Sequence, residues 1–472
     1  MHRYITTTLP YVNAKPHMGF ALEIVKADII ARFWREGGDE VFFNTGTDEH
    51  GLKIFREAEK AGVSPQAYVD EYAEHFKALK PALNLSYDNF IRTTDAHHIM
   101  AAQAFWKRCA EKGDIYKKLY RLKYCIGCEL PKTDSELVDG KCPLHPKEEI
   151  ELREEENYFF RFSKYQKPLL ELYESRPDFV VPDFRFNEIK AFVARGLDDF
   201  SVSRLKEKMP WGVAVPEDDA QIMYVWFDAL VNYISAIGFP DKMKEFEAWW
   251  PGVQIAGKDN LRQQAAMWAA MLLSAELSPS RQILINGFIT SGGQKMSKSL
   301  GNVLDPLVFV KEYGADALRY YLARHMNSFE DSDMTEASFK EAYNANLANG
   351  LGNLVARVMT LAAKYLSEPV AVPVSREAVF GEFSSHMERY DISRAMDGVW
   401  AKIGELDRFA QENKPWETIK TDESKAKKDI AHLVVGLALI AHLLRPVMPD
   451  TAEKIKNAVE TNTAPKILFE RK

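Results

Sequence analysis

Two lysines three residues apart, in the run Lys295-Met296-Ser297-Lys298-Ser299, follow a Gly-rich turn at Ser291-Gly292-Gly293-Gln294. With the Ser297 and Ser299 hydroxyls beside the two ammonium groups, such a loop can close over a polyphosphate and neutralise charge as a leaving group departs. A solvated surface turn is the plainer account, since Gly, Ser and Lys are ordinary turn residues. The balance shifts because a second phosphate-type element stands at the other end of the chain. An apolar, Thr-rich run over residues 4–9 reads as a strand, and Pro10, Asn13 and Pro16 break it into a loop. From His17 onwards Met18, Ala21, Leu22, Val25, Ile29 and Phe33 recur at three- and four-residue spacing, the period of a helix. His17 thus opens a helix that follows a strand, where unpaired N–H groups and the helix dipole attract an anion. Gly19 allows a bulky ligand close to the backbone.

The stretch His17-Met18-Gly19-Phe20 and the lysine run resemble the two signatures of class I aminoacyl-tRNA synthetases. The surrounding residues are similar to the methionyl-tRNA synthetase family in particular: Leu9-Pro10-Tyr11, Thr45-Gly46-Thr47-Asp48-Glu49-His50-Gly51, Tyr224-Val225-Trp226-Phe227-Asp228-Ala229 and Gly257-Lys258-Asp259. The resemblance covers essentially the whole chain, and the motifs fall in the family's order. It implies a methionine–tRNA ligase that activates L-methionine with ATP to methionyl-adenylate, releases pyrophosphate, and passes methionine to the 3′ end of its tRNA. The substrate carboxylate is already ionised at neutral pH, so no general base is required, and catalysis rests on positioning and charge stabilisation.

The implied catalytic residues are His17, Lys295 and Lys298. ATP is expected to contact His17, Gly19, Lys258, Asp259, Lys295, Ser297 and Lys298, with Asp259 on the ribose hydroxyls and Mg2+ accompanying ATP; no dedicated carboxylate cage for that ion is evident. Glu23 and Arg204 fall at matched positions near the site. The family's amino-acid pocket maps onto Leu9, Tyr11, Trp226, Leu230 and Tyr233, with Asp48 facing the ammonium and Trp268 close by. A thioether offers no charge, so selection depends on shape and on sulfur–ring contacts of roughly 0.3–1.5 kcal/mol each. Trp226, Leu230 and Tyr233 are spaced four and three apart, so one helical face can present them together. Phe20 stands where the family usually has His, which replaces a donor by a ring without one; a lost transition-state hydrogen bond there would cost on the order of 10–1000-fold in rate. Gln264 stands where the family commonly has a His lining the methionine pocket. Asn353 and Arg357 share a helix face, Trp416 follows Lys414-Pro415, and the resemblance assigns all three to reading the anticodon of initiator and elongator tRNA(Met). Amide, guanidinium and indole suit splayed bases.

The elements that must position these residues divide the chain. Residues 1–112 alternate strands, such as 41–44, with amphipathic helices, such as one over residues 65–79 capped by Ser64 with Pro65 at its first position. That alternation argues for a Rossmann-type, doubly wound parallel sheet of the α/β class, whose ligands bind beyond the carboxyl ends of the strands. Residues 113–205 are expected as a connective insertion. Within it Cys125-x2-Cys128, thirteen residues, then Cys142-x2-His145 supplies four ligands in two knuckles, suiting one closed, structural Zn2+ site. Cys109 lies outside that pattern and reads as a small core residue. The sheet resumes over 206–290, with strands at 253–257 and 282–287. Residues 291–335 form a linker with the lysine loop and a helix over 306–324. Residues 336–472 read as an all-α anticodon-binding bundle.

With 472 residues the chain needs more than one core. Hydrophobic residues at 46%, charged residues at 27% and a net charge of −7 are ordinary for a globular protein and neither favour nor exclude an RNA partner. No signal sequence or apolar run of ~18 residues is seen, and three of the four cysteines cluster, so a cytoplasmic protein with no membrane contact is expected. The dimerising extension of some family members is expected to be missing, which points to a monomer. A sister synthetase for another aliphatic amino acid would need a large editing domain in the insertion. A non-catalytic paralogue is the alternative that Phe20 raises and the intact lysine run opposes.

Overall fold

Neighbouring residues of the first strand are buried on opposite sides of it, which puts that strand at the centre of a layered fold. In β1 (His2–Thr7), Tyr4 belongs to one apolar core and Ile5 to the other, as the two-residue period of a strand buried on both faces requires. A computed structural model describes residues 1–125, 130–132, 137–143, 149–296, 302–372 and 376–472. Cys128, His145, Ser297 and Lys298 lie outside the described residues, and at Cys125 and Lys295 the description covers the backbone alone.

After β1 come the helix α1 (Met18–Glu36), β2 (Glu40–Thr47), β3 (Asn89–Arg92) and α2 (Ala96–Glu111). Between β2 and β3 lies the helix Pro65–Lys77, where the Ser64 side chain accepts the Ala67 N–H at 3.2 Å, the expected cap. Two long strands, β4 (Ile115–Cys125) and β5 (Ile150–Phe160), pair antiparallel as a ribbon from Ile115↔Phe160 to Cys125↔Ile150. Then follow β6 (Val180–Val181), α3 (Val225–Leu230), β7 (Val253–Gly257) and β8 (Gln282–Asn286).

Among the described residues the main sheet has the order β3-β2-β1-β7-β8-β6, and every pair in it is parallel. The chain winds outwards from β1 in one direction and from β7 in the other. The crevice beyond the ends of β1 and β7 is therefore the switch point where open sheets bind ligands. The segment expected to interrupt the sheet returns one strand to it, because β6 pairs with Ile283 and Leu284 of β8. Helices Gln166–Ser175 and Asp183–Ala194 on either side of β6 pack Leu169, Tyr173, Phe186 and Ile189 into the same core as Tyr4. A two-residue strand carries no readable period, which is why residues 180–181 do not announce themselves.

The helix expected over 306–324 is two helices, Pro306–Tyr313 and α4 (Ala315–Arg324), separated by Gly314 at φ 88°, a left-handed conformation that ends the first helix without strain. The remainder is helical: α5 (Asn353–Tyr365), Arg376–Glu388, α6 (Ile392–Asn413), α7 (Glu423–Leu444) and α8 (Pro449–Thr461). The apolar core that holds Ile5 and α1 runs on through α4 into α5, α6, α7 and α8, so sheet and bundle share it. Among the described residues no helix is long and apolar enough to cross a membrane.

Arg319 of α4 sits wholly buried where these parts meet. Its Nε donates to Val447 O at 2.7 Å, Nη1 to Leu83 O at 3.1 Å and Nη2 to Pro446 O at 2.9 Å, while Nη2 pairs with Asp28 of α1 at 2.7 Å. Asp28 also accepts from Arg32 Nε at 2.7 Å and from the Ser86 N–H and hydroxyl at 2.6 Å. Burial alone would raise the Asp28 carboxyl, but Arg319 and Arg32 outweigh it and hold it below its ordinary range. Arg319→Leu would take one of the two guanidinium partners from the buried Asp28, leave three backbone carbonyls without their donor, and lower stability by about 3–5 kcal/mol, read as an earlier urea midpoint. Arg319→Lys is expected to fail as well, because an ammonium cannot reproduce the planar fork across three carbonyls.

Candidate active site

A cleft of about 670 Å³ opens at the switch point. It is lined by Leu9, Tyr11, His17, Gly19, Phe20, Glu23, Asp48, Trp226, Leu230, Tyr233, Asp259, Gln264, Asn286 and Met296. Main-chain pairing fixes its floor: Asp48 N–H donates to Pro10 O at 3.0 Å and Val12 N–H to Asp48 O at 3.2 Å, which carries the β1–β2 pairing into the loops. Asp48 is 8% exposed, and its Oδ1 has no hydrogen-bond partner. Burial, with Asp228 nearby, raises its carboxyl well above the usual range. A cation docked against it would recover that energy.

His17 caps α1, and its Nδ1 accepts the Gly19 N–H at 3.0 Å. A backbone N–H can only donate, so Nδ1 carries the lone pair and the ring proton falls on Nε2. Desolvation by the cleft wall lowers the imidazole pKa, so the ring is a neutral donor. Gly19 is required for this seat, because a Cβ there would lie 2.9 Å from His17 Cε1 and 3.0 Å from Nδ1. Phe20 is turned inward and packs edge-on against Phe76 with ring centroids 5.3 Å apart.

The described residues on either side of the lysine run adjoin this corner. The hairpin Ile289–Ser291 with Gln294–Lys295 leads into it, and Asp333 Oδ1 accepts from Gly293 N–H and Thr290 Oγ1, both at 2.8 Å. Met296 lines the cleft, and beyond the run Leu304 O accepts the Met18 N–H at 3.0 Å. The described ends of the loop thus flank the His17 turn.

Trp226 and Leu230 lie in α3 and Tyr233 in the next short helix, Asn232–Ser235, so all three line the cleft but from two helices instead of the one helical face expected. Gln264 and Trp268 belong to wide, π-type turns over Gln263–Trp268, a local distortion that a 3.6-residue pattern does not reveal and that often marks functional helices. Gln264 Nε2 donates to Tyr233 Oη at 2.7 Å, while its buried Oε1 has no partner. Trp268 does not line the cleft; fully buried, it stands behind Tyr233 at a ring distance of 5.9 Å. Nor does Lys258, which is held by Asp331 at 2.6 Å beneath a cation–π contact with Phe288. Arg204 lies over the Tyr224 ring at 4.6 Å and lines a second cavity of about 360 Å³ that shares Trp226 and Leu230 with the first.

Sequence reading did not find the support behind Asp48. His50 Nδ1 meets Asp228 Oδ2 at 2.6 Å, His98 Nε2 meets Asp228 Oδ1 at 2.9 Å, and His98 Nδ1 meets Ser235 Oγ at 2.9 Å, all buried. Burial would raise the Asp228 carboxyl, but the two imidazoles draw it down to about 2. His50 and Asp228 both lie in the motifs quoted above; His98, on α2, gave no signal.

In the bundle, the Arg357 guanidinium lies 5.7 Å from the Trp416 ring and pairs with Asp407, and Asn353 is exposed one turn earlier on α5. Cys142 is buried directly after the Val138–Lys141 turn. Cys109 packs in the core, its thiol pushed up to about 12 by burial. Among the described residues no group of three or more His, Cys, Asp or Glu side chains could hold a metal ion.

A family profile described as tRNA synthetases class I (M) matches residues 3–150 and 144–359, and one described as the anticodon binding domain of methionyl tRNA ligase matches residues 373–467. A methionine–tRNA ligase of Thermosynechococcus vestitus is 41% identical over 476 residues, spanning 96% of this chain and 89% of the relative. One from Thermotoga maritima is 40% identical over 482 residues, spanning 98% and 76%. Among solved structures, Mycobacterium tuberculosis methionyl-tRNA synthetase in complex with methionyl-adenylate superposes with a TM-score of 0.87 at 37% identity, covering 96% of this chain and 93% of that one.

The support network makes its own prediction. Asp228→Ala leaves the buried imidazoles of His50 and His98 without their shared acceptor, and a loss of about 3 kcal/mol in unfolding free energy is expected, measured by chemical denaturation.

Proposed function

This chain belongs to the methionine branch of the class I tRNA synthetases and is a ligase that forms methionyl-tRNA; from that premise we propose how its residues divide the work. Asp48 receives the substrate ammonium, and Leu9, Tyr11, Trp226, Leu230 and Tyr233 enclose the thioether. Gln264 orients Tyr233 through its amide N–H, and Trp268 backs the Tyr233 ring. The observation that carries this reading is the buried, unpartnered Oδ1 of Asp48 in the same cleft as the His17 turn.

Methionine's carboxylate attacks the α-phosphorus of ATP; a new P–O bond forms as the bond to the β-phosphate bridge breaks, and pyrophosphate departs. His17 donates from Nε2 to a phosphate oxygen, Gly19 leaves room for that ring, Lys295 and Lys298 neutralise the departing pyrophosphate, and the Ser297 hydroxyl contacts the phosphates. Asp259 accepts from a ribose hydroxyl. Lys258 reaches a phosphate only by giving up Asp331. Mg2+ arriving with ATP adds charge neutralisation on the phosphates. A ribose hydroxyl at the tRNA 3′ end then attacks the adenylate carbonyl, and AMP leaves. Phe20 takes no polar part and serves to hold the helix start against Phe76. Arg357 and Trp416 form a stacking platform for anticodon bases of initiator and elongator tRNA(Met), with Asn353 reading base edges.

Cys125, Cys128, Cys142 and His145 are read as one structural Zn2+ site. Three thiolates and one imidazole suit that ion. The described backbone fits: Cys125 ends β4 in register with Leu130, and Cys142 follows the Val138–Lys141 turn. The metal's contribution would be to hold these knuckles together.

Methionine-dependent ATP–pyrophosphate exchange tests the reading; exchange that proceeds equally with another amino acid would sink it. Asp48→Asn is expected to raise the KM for methionine by roughly 10–100-fold, the worth of a charged hydrogen bond. Because the Asp48 pKa is raised, the carboxyl keeps its proton at lower pH and cannot pair with an ammonium. Methionine affinity should therefore rise with pH as Asp48 ionises, and that slope should vanish in Asp48→Asn. Purified protein should contain one zinc per chain, and Cys142→Ala should lose the metal and melt earlier; unchanged zinc content would refute the ligand set.

A further inference from the structure

Asn286 stands outside every motif that carries the family likeness. It ends β8, in register with Gly257 at the end of β7, and its side chain lines the cleft at only 6% exposure. Its Oδ1 accepts from Lys26 Nζ at 3.3 Å. Burial lowers the Lys26 pKa to about 7, yet Nζ meets two backbone carbonyls, which can only accept, and the amide beside them is satisfied when Oδ1 faces Nζ as a third acceptor and the NH2 group points elsewhere. Nδ2 has no hydrogen-bond partner in the protein. Buried donors are rarely left so, because the desolvation is not repaid.

Lys26 cannot serve a ligand itself. It is 3% exposed, and its remaining donors go to Asn327 O at 3.1 Å and Ser328 O at 2.9 Å. Its three N–H groups are spent on holding the amide and that segment. Asp259 lines the same cleft beside Gly257, and Glu23, one turn before Lys26 on α1, is engaged by the Thr8 N–H at 2.8 Å and the Thr8 hydroxyl at 2.6 Å. A phosphate would meet carboxylates here, and an adenine edge that both donates and accepts would find the Asn286 acceptor already taken. A hydroxyl fits, since it can donate to Asp259 and accept from Asn286 at once.

We propose that Asn286 Nδ2 donates a hydrogen bond to a ribose hydroxyl oxygen of the bound nucleotide, with Lys26 as the positioning residue that aims it. This deepens the ATP reading above and rests on it. Exchange kinetics of the full chain would be compared with ATP, 2′-deoxy-ATP and 3′-deoxy-ATP, using inhibition constants for any analogue not turned over. Asn286→Ala is expected to lose about tenfold in kcat/KM for ATP, the worth of one hydrogen bond. The loss should disappear with the deoxynucleotide that lacks the contacted hydroxyl, while the KM for methionine stays put; the melting temperature should fall in Asn286→Ala, which leaves a Lys26 donor unpaired. Asn286→Asp, which keeps shape and the Lys26 contact but removes the donor, should behave likewise. Lys26→Gln, which lets the Asn286 amide turn, should share the lost discrimination. An equal loss with all three nucleotides, or none, overturns the proposal. Absence of exchange in the unaltered protein would instead overturn the ATP reading.

Discussion

The buried Arg319–Asp28 pair is the contact on which the rest of the architecture depends. A guanidinium removed from water is tolerable only if its donors and its charge are answered together, and here the answers come from α1, the Leu83 turn and the Pro446–Val447 corner. Three parts of the chain are therefore locked to one planar group. α1 is about 28 Å long and carries His17 at its start and Asp28 near its middle, so a clamp on the middle of this rod also sets the position of the His17 turn. Lys26, two residues from Asp28, repeats the device on another side by capturing the carbonyls of Asn327 and Ser328.

Charge in the cleft is arranged ahead of the substrate. Asp48 Oδ1, Gln264 Oε1 and Asn286 Nδ2 are buried without partners, and orphans of this kind cost about 1–3 kcal/mol each in the unliganded protein. They persist because rigid neighbours hold them: Asp48 by strand pairing at Pro10 and Val12, Gln264 by Tyr233, Asn286 by Lys26. The His50–Asp228–His98 network keeps a second carboxylate ionised close to Asp48, which adds to burial in raising the Asp48 pKa and favours a cation there. Stability is given up locally so that little reorganisation remains when substrate arrives.

Local chemistry was legible wherever a short segment carries its own instruction. Ser64 before Pro65 specifies a helix start, His17 after Pro16 specifies another, and the apolar runs at 253–257 and 282–287 specify buried strands. Other features depended on distant partners. Val180–Val181 become a strand only because β8 offers an edge. Trp268 withdraws behind Tyr233 because the turns around it widen. Lys258 is captured by Asp331, more than seventy residues away, and nothing near Lys258 hints at it. Asn286 carries no local sign of its role, since an amide is informative only once its acceptor is seen to be occupied.

The amino-acid sequence by itself determined the family, the parallel α/β sheet and the helical C-terminal part, because periodicity, capping residues and motif spacing act over a few residues and survive without tertiary context. Only the tertiary structure decided which of the polar groups are spent on one another and which remain available to a ligand. Hydrogen-bond and charge saturation depend on groups brought together from anywhere in the chain, and no spacing rule encodes that sum.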